Sequence, residues 1–98
     1  MTVRLTPAAE ADVEAILEWY RSRGQELRDQ FQQAFDRSLE FIQDNPQSCA
    51  TIHGEIRRVL LRRFPYCVFY ILEPNEIVVL ACMHGHRDPQ LWRERRDA

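Results

Sequence analysis

The chain contains no lysine; all 13 of its basic residues are arginine. That absence removes Schiff-base and P-loop chemistry, both of which need a lysine amine. The three cysteines, Cys49, Cys67 and Cys82, form no C-x-x-C pair, and an odd count suits no disulfide framework. No apolar run reaches the roughly 18 residues a membrane-spanning helix needs, so no membrane partner is expected. The opening residues, MTVRLTPAAEAD, show no apolar stretch followed by a cleavage site, so no secretory leader is expected and the cytoplasm is the default location. A basic excess is missing too. The net charge is -2, whereas a nucleic-acid-binding domain is usually basic, so direct nucleic-acid binding is not expected. There is no internal repeat and no low-complexity segment.

What is present fits one domain over residues 1–98, with 45% hydrophobic content that argues for a packed core. The charge is split along the chain. The first fifty residues carry five Arg against nine Asp/Glu, and the remainder eight Arg against six Asp/Glu.

Val3 to Thr6 alternates apolar and polar, the pattern of a short strand. Thr6-Pro7 is a helix start, with an N-cap hydroxyl before a proline at the first helical position. Val13, Ile16, Leu17 and Tyr20 continue at helical spacing and predict a helix to about Arg23, broken by Gly24. A second helix is predicted over Gln25 to Asp44, with Leu27, Phe31, Ala34, Phe35, Leu39 and Ile42 on one face and Asn45-Pro46 as its end. The short connection makes the two an antiparallel hairpin. Residues 46–54 read as a polar loop. Strands follow at Glu55 to Arg62, Tyr66 to Leu72 and Ile77 to Met83, with a turn at Glu73-Pro74-Asn75-Glu76 and a last helical turn or two over Pro89 to Arg96. The middle strand is apolar throughout, which suits a central strand covered on both faces. The expected class is α+β: a helical hairpin packed on a small antiparallel sheet, in the order β-α-α-β-β-β with a short C-terminal helix.

The densest chemistry lies in MHGHRDPQLWRER, Met83 to Arg95. If the last strand stays extended, Cys82, His84 and His86 share a face, and a turn at Pro74-Asn75 sets Cys67 opposite Cys82. Two thiols and two imidazoles are a zinc-like set. No metal is nevertheless expected, because structural zinc sites favour loops with C-x-x-C pairs and Gly85 bends the strand before His86. The plainer expectation is that both cysteines are small buried hydrophobes and that His84 is a packed histidine closing a strand. Asp88-Pro89 reads as an N-cap and first helical residue, with Arg57 or Arg87 as a further partner for the carboxylate.

These segments together resemble the ParE/RelE superfamily of toxin–antitoxin toxins. The resemblance covers nearly the whole chain, through LTPAAEADVEAILEWY, the closing FIQDNP of helix two, IRRVLLRRFPYCVFYIL and IVVLACMHGHRDPQLWRER. It implies a toxin neutralised by a cognate antitoxin that wraps around it, adds to the sheet edge and covers apolar grooves. Trp19, Phe41, Leu91 and Trp92 are the large side chains expected to anchor that contact, although Trp92 also suits a role packing the C-terminal turn onto the sheet.

The superfamily holds two branches: ribosome-dependent mRNA endonucleases of RelE type and DNA gyrase poisons of ParE type. Metal-free RNA cleavage needs a base, an acid and clustered cations. Here the strand position where RelE-like members carry arginine falls at Cys67, and their C-terminal tyrosine falls near Trp92, which has no proton to exchange at a useful pKa. The resemblance therefore implies the ParE branch, with gyrase as target, no catalytic residue and no cofactor. Arg87, Arg93, Arg95 and Arg96 are the candidate target contacts; a solvated helix face is the alternative for some of them. The competing ribonuclease reading rests on His84, His86, Arg87 and Arg57.

Overall fold

The computed structural model describes residues 1–96, so Asp97 and Ala98 of the expected domain lie outside the described residues. Strand β1 is Thr2–Leu5, helix α1 Pro7–Arg21, helix α2 Gln25–Asp44, and strands β2 to β5 are Thr51–His53, Ile56–Leu60, Tyr66–Leu72 and Glu76–His84. A short helix α3, Pro89–Arg93, runs into a single 3₁₀ turn, Glu94–Arg96.

Thr6 caps α1 as its position predicts, its hydroxyl accepting from the Ala9 amide at 3.1 Å. The helix ends at Arg21, two residues early, because the Ser22 hydroxyl turns back to the Trp19 carbonyl at 2.6 Å. Helix α2 has the predicted bounds and buries Phe31, Phe35 and Ile42, but Leu27 stays 39% exposed. Cover beneath α2 begins one turn later, where the Phe31 ring meets Phe64 and Tyr66 at 5.4 and 5.6 Å.

The sheet has five strands in the order β1-β5-β4-β3-β2. It is mixed, not antiparallel, because β1 runs parallel to β5. The reason is topological. Helix α1 runs on past the end of β1 and α2 returns beside its start, where Gln43 donates to the Met1 carbonyl at 2.8 Å; β2 then runs against β1, and three hairpin reversals leave β5 aligned with β1. Strand β2 falls inside the expected polar loop; three residues are too few to show a period in sequence.

Near its turn the β4–β5 hairpin has the predicted register, with Leu72 opposite Ile77 and Tyr70 opposite Val79. A bulge then inserts Leu80, so that Phe69 faces Ala81 and Cys67 faces Met83. Cys82 consequently packs on the helix-covered face with Val68 and Val79, while Cys67 joins Phe69 and Met83 on the other. The two thiols are on opposite sides of the sheet.

Both faces of β4 and β5 are buried, β4 along its five middle residues and β5 along seven. The hairpin α1–α2 covers one face, and Trp92 with Ile56 covers part of the other. Phe31 is fully buried and touches four other rings, so Phe31→Ala is expected to cost about 3–5 kcal/mol. Leu27→Ala should cost no more than about 1 kcal/mol. Urea unfolding of the two variants checks this; equal losses would mean that α2 docks in another rotation.

Candidate functional site

Two concavities flank the sheet. The first is a groove of about 340 Å³ between the outer face of α2 and the end of β3. Its α2 wall includes Gln33, Arg37 and Phe41, and the opposite wall runs from Val59 to Phe64. The groove is open because β2 is short: its pairing stops at Arg57, so among the described residues no strand lies beside Val59 and Leu60 on that edge. The Leu61 amide donates to the Tyr66 carbonyl at 2.9 Å. By the alternation of strand backbone groups, the N–H and C=O of Leu60 therefore face outward. Leu60 is 63% exposed and Phe41 45%.

Arg37, Arg62 and Arg63 stand around this apolar floor, and none forms an ion pair within the described residues. Arg63 has φ of +69°, the left-handed region that costs a non-glycine residue roughly 1–2 kcal/mol. The strained turn sets two adjacent cations at the groove rim. Sequence reading passed over this site except for Phe41. Its one signal was the Leu60-Leu61 pair, since consecutive apolar residues on an alternating strand force one of them outward.

The second concavity, about 330 Å³, lies between α1 and the end of β5 and is lined by Asp12, Ile16, Trp19, Tyr66, His84, Arg87 and Arg95 among others. Trp19 is half exposed, with the Arg23 guanidinium 3.6 Å above its ring. His84 Nδ1 accepts the His86 amide at 3.1 Å, so the neutral ring carries its proton on Nε2. The two imidazoles are 5.4 Å apart, and Tyr66 meets His84 edge-on at 5.8 Å. Burial first, and then the Tyr66 phenol, push the pKa of Tyr20 up behind this wall.

The sequence-predicted residues separate into groups. His84, His86 and Arg87 come together; Arg57 does not join them. It pairs with Tyr70, four residues along β4 from the level of His84, roughly 13 Å away along the strand. Its guanidinium instead donates to the Cys49 carbonyl and, at 3.3 Å, to that of Gln47, tying down the loop after α2. Asp88 caps α3 by accepting the Gln90 amide at 3.0 Å, and pairs with neither Arg57 nor Arg87 among the described residues. Leu91 is partly exposed, whereas Trp92 is buried and stacks on Phe69 at 4.7 Å. Trp92 thus packs the C-terminal turn, and no partner reaches it while that turn is in place. Arg95 is also engaged, with both terminal nitrogens on Asp12 at 2.9 and 3.0 Å. Arg96 pairs with Glu55 at 3.0 Å, and Arg93 lies 5.4 Å from the Trp92 ring. No group of three or more His, Cys, Asp or Glu is placed to hold a metal ion among the described residues.

With this geometry in hand, comparison with known proteins decides the family. A family model described as the ParE toxin of the type II toxin–antitoxin system, parDE, matches residues 3–89. The chain belongs to that family. Among solved structures it is similar to the chromosomal ParDE TA system from P. aeruginosa, at 23% identity and a TM-score of 0.75. The match covers 86% of this chain and 95% of that one. No curated protein matches the chain. The ParE fold is thus present with its sheet order, helical hairpin and short C-terminal helix. No helix among the described residues is long and apolar enough to cross a membrane.

In this ParE-family chain the buried Cys82 thiol links stability to pH. Burial, then the Asp12 carboxylate, then Cys67 push the Cys82 thiol from 9.0 up to about 12. A thiol that ionises in the unfolded chain before it can in the folded one weakens the fold as pH rises. Its contribution is intact below about 9 and is lost progressively towards about 12. The loss should reach about 2 kcal/mol by pH ~10.5. Urea midpoints measured across that range should fall less steeply for Cys82→Ala; parallel curves would exclude the buried thiol as the cause. Tyr70, also pushed up by burial, leaves a residual slope in both.

Proposed function

We propose that this ParE-family chain is the toxin component of a type II toxin–antitoxin module, acting in the bacterial cytoplasm. On this reading it inhibits DNA gyrase by protein–protein contact and is neutralised by a cognate antitoxin. The observation that carries the antitoxin half is the groove between α2 and β3. An apolar floor with an outward-facing strand backbone suits an extended or amphipathic segment, and three arginines that form no ion pair among the described residues call for carboxylates on it. Phe41 and Leu60 are the anchors.

The gyrase half is supported by family membership and by the exposed side chains of the second concavity and the C-terminal segment, Trp19, Arg87, Leu91 and Arg93. Arg95 and Arg96 hold the C-terminal segment through their ion pairs with Asp12 and Glu55 and would act through its placement. One observation favours the endonuclease reading: His84, His86 and Arg87 gather beside Tyr66. Against it, Arg57 lies elsewhere, Cys67 is buried with its pKa raised by desolvation, and Trp92 is buried in the position where a proton donor would be needed.

Purified full-length protein should inhibit gyrase supercoiling and accumulate cleaved DNA, while leaving mRNA intact in a translation reaction. Cleavage of ribosome-bound mRNA at codon positions with normal supercoiling would reverse the choice. For the antitoxin, the triple variant R37E/R62E/R63E should bind about tenfold to hundredfold more weakly, chiefly through a slower on-rate. High salt should shrink that difference; an unchanged affinity would place the antitoxin on another surface.

A further inference from the structure

The sheet face opposite the helices is closed by a segment with few attachments. Between Pro89 and Arg96 only Trp92 is buried. No backbone hydrogen bond joins Asp88–Arg95 to the sheet among the described residues; the last such ties before the segment are the Gly85 amide to the Pro65 carbonyl at 2.8 Å and the Arg87 amide to the His84 carbonyl at 3.0 Å. Among the described residues the segment's contacts include the stack of Trp92 on Phe69 with His53 edge-on to the same ring at 6.4 Å, the Arg96–Glu55 pair at its exposed end, and, third, the Arg95–Asp12 pair.

The third point differs from an ordinary surface ion pair. Its side chains are only 23% and 17% exposed, and the partners are 83 residues apart. Arg95 Nη1 also donates to the Leu80 carbonyl at 2.9 Å, and Asp12 Oδ2 also accepts the Cys82 amide at 3.0 Å. Both backbone groups lie on the edge of β5 just past Val79, where its pairing with β1 stops, and Leu80 is the residue inserted by the bulge. The ion pair therefore takes the place of the missing strand. A carboxylate from α1 and a guanidinium from the C-terminal segment satisfy one donor and one acceptor that β1 is too short to reach.

We propose that Asp12 and Arg95 form a latch that holds Pro89–Arg96 as a detachable strap across the second sheet face. The strap opens as a unit about the Gly85–Arg87 turn while the sheet and the helical hairpin stay folded. Opening withdraws Arg95 from Leu80, lifts Trp92 off Phe69 and exposes an apolar face built around Phe69, Met83 and Ile56. It also removes the wall that Arg95 gives to the cleft beside His84 and Trp19. Asp12 is thus a positioning residue for the segment that carries Arg93 and Leu91, acting through Arg95. This holds whichever target the protein has.

Amide exchange in the full-length protein, followed residue by residue by NMR, tests the latch, with the Cys82 amide as its direct reporter. In Asp12→Asn, exchange at Cys82 and through Leu91–Arg95 should rise at least tenfold together, while the β4 amides of Val68 and Tyr70 keep wild-type protection. Arg95→Gln should expose the same strap amides. Unchanged strap protection in both variants, or a rise shared equally by β4, would overturn the proposal. Should either variant fail to fold, wild-type protein in sub-denaturing urea decides alone. Strap exchange that is nearly independent of urea supports local opening, and a dependence as steep as that of β4 refutes it.

Discussion

Strands β4 and β5 are apolar on both faces, and that condition sets the task of every other element. A two-sided apolar hairpin cannot leave either face to water. One helical hairpin covers one face in full, with Val13 and Ile16 from α1 and Phe31, Phe35 and Ile42 from α2 as its contact row. The other face receives no helix of comparable length. It is closed by Ile56, by the stack of Trp92 on Phe69 and by the C-terminal segment that carries Trp92. The two faces are thus unequal in how firmly they are held, and the weaker closure lies where the chain has least material.

The edges follow the same logic. A sheet of five strands has two outer edges, and here the strand next to each is longer than its cover. Strand β1 covers β5 only as far as Val79, and the Asp12–Arg95 pair takes over at Leu80 and Cys82. Strand β2 covers β3 only as far as Arg57, and among the described residues no strand takes over at Val59 and Leu60. One edge has been completed with side chains. The other is left with an exposed leucine and with arginines that form no ion pair among the described residues, and it adjoins the groove beside α2. Unprotected strand edges invite pairing with another chain, so an uncompleted edge in a folded protein is informative.

What could be read from residues alone divides along physical lines. Both helices and the central strand were legible because each rests on a local signal. Thr6-Pro7 and Asn45-Pro46 mark helix ends, and YCVFYIL has no polar residue to put on a wet face. The family was legible too, through segments spanning nearly the whole chain. The parallel pairing of β1 and the Leu80 bulge were not, since both depend on which distant segments meet. The bulge undid the cysteine pair, by moving Cys67 one place past Cys82 and onto the other face, and the end of β5 at His84 leaves His86 off the strand. Phe41 was picked out because it falls off the buried stripe of its own helix. Its groove partners Arg37, Arg62 and Arg63 were missed because their role depends on what they lack.

The absence of lysine acquires a meaning in this light. Arg95 bonds one carboxylate through two nitrogens and a backbone carbonyl through one of them, Arg57 bonds two carbonyls, and Arg23 lies flat on Trp19. Arg95 uses the planar fork of its guanidinium and Arg23 its delocalised cation over a ring, neither of which a lysine ammonium reproduces. Arginines so engaged are structural parts of the fold, and their charge is largely answered within it. The arginines at the groove rim have the same geometry available and no ion-pair partner among the described residues. A side chain able to hold a carboxylate in two-point contact, left without one on an otherwise acidic protein, argues for a partner that brings the acid. It also argues that the net charge of -2 is a poor guide to where this molecule binds.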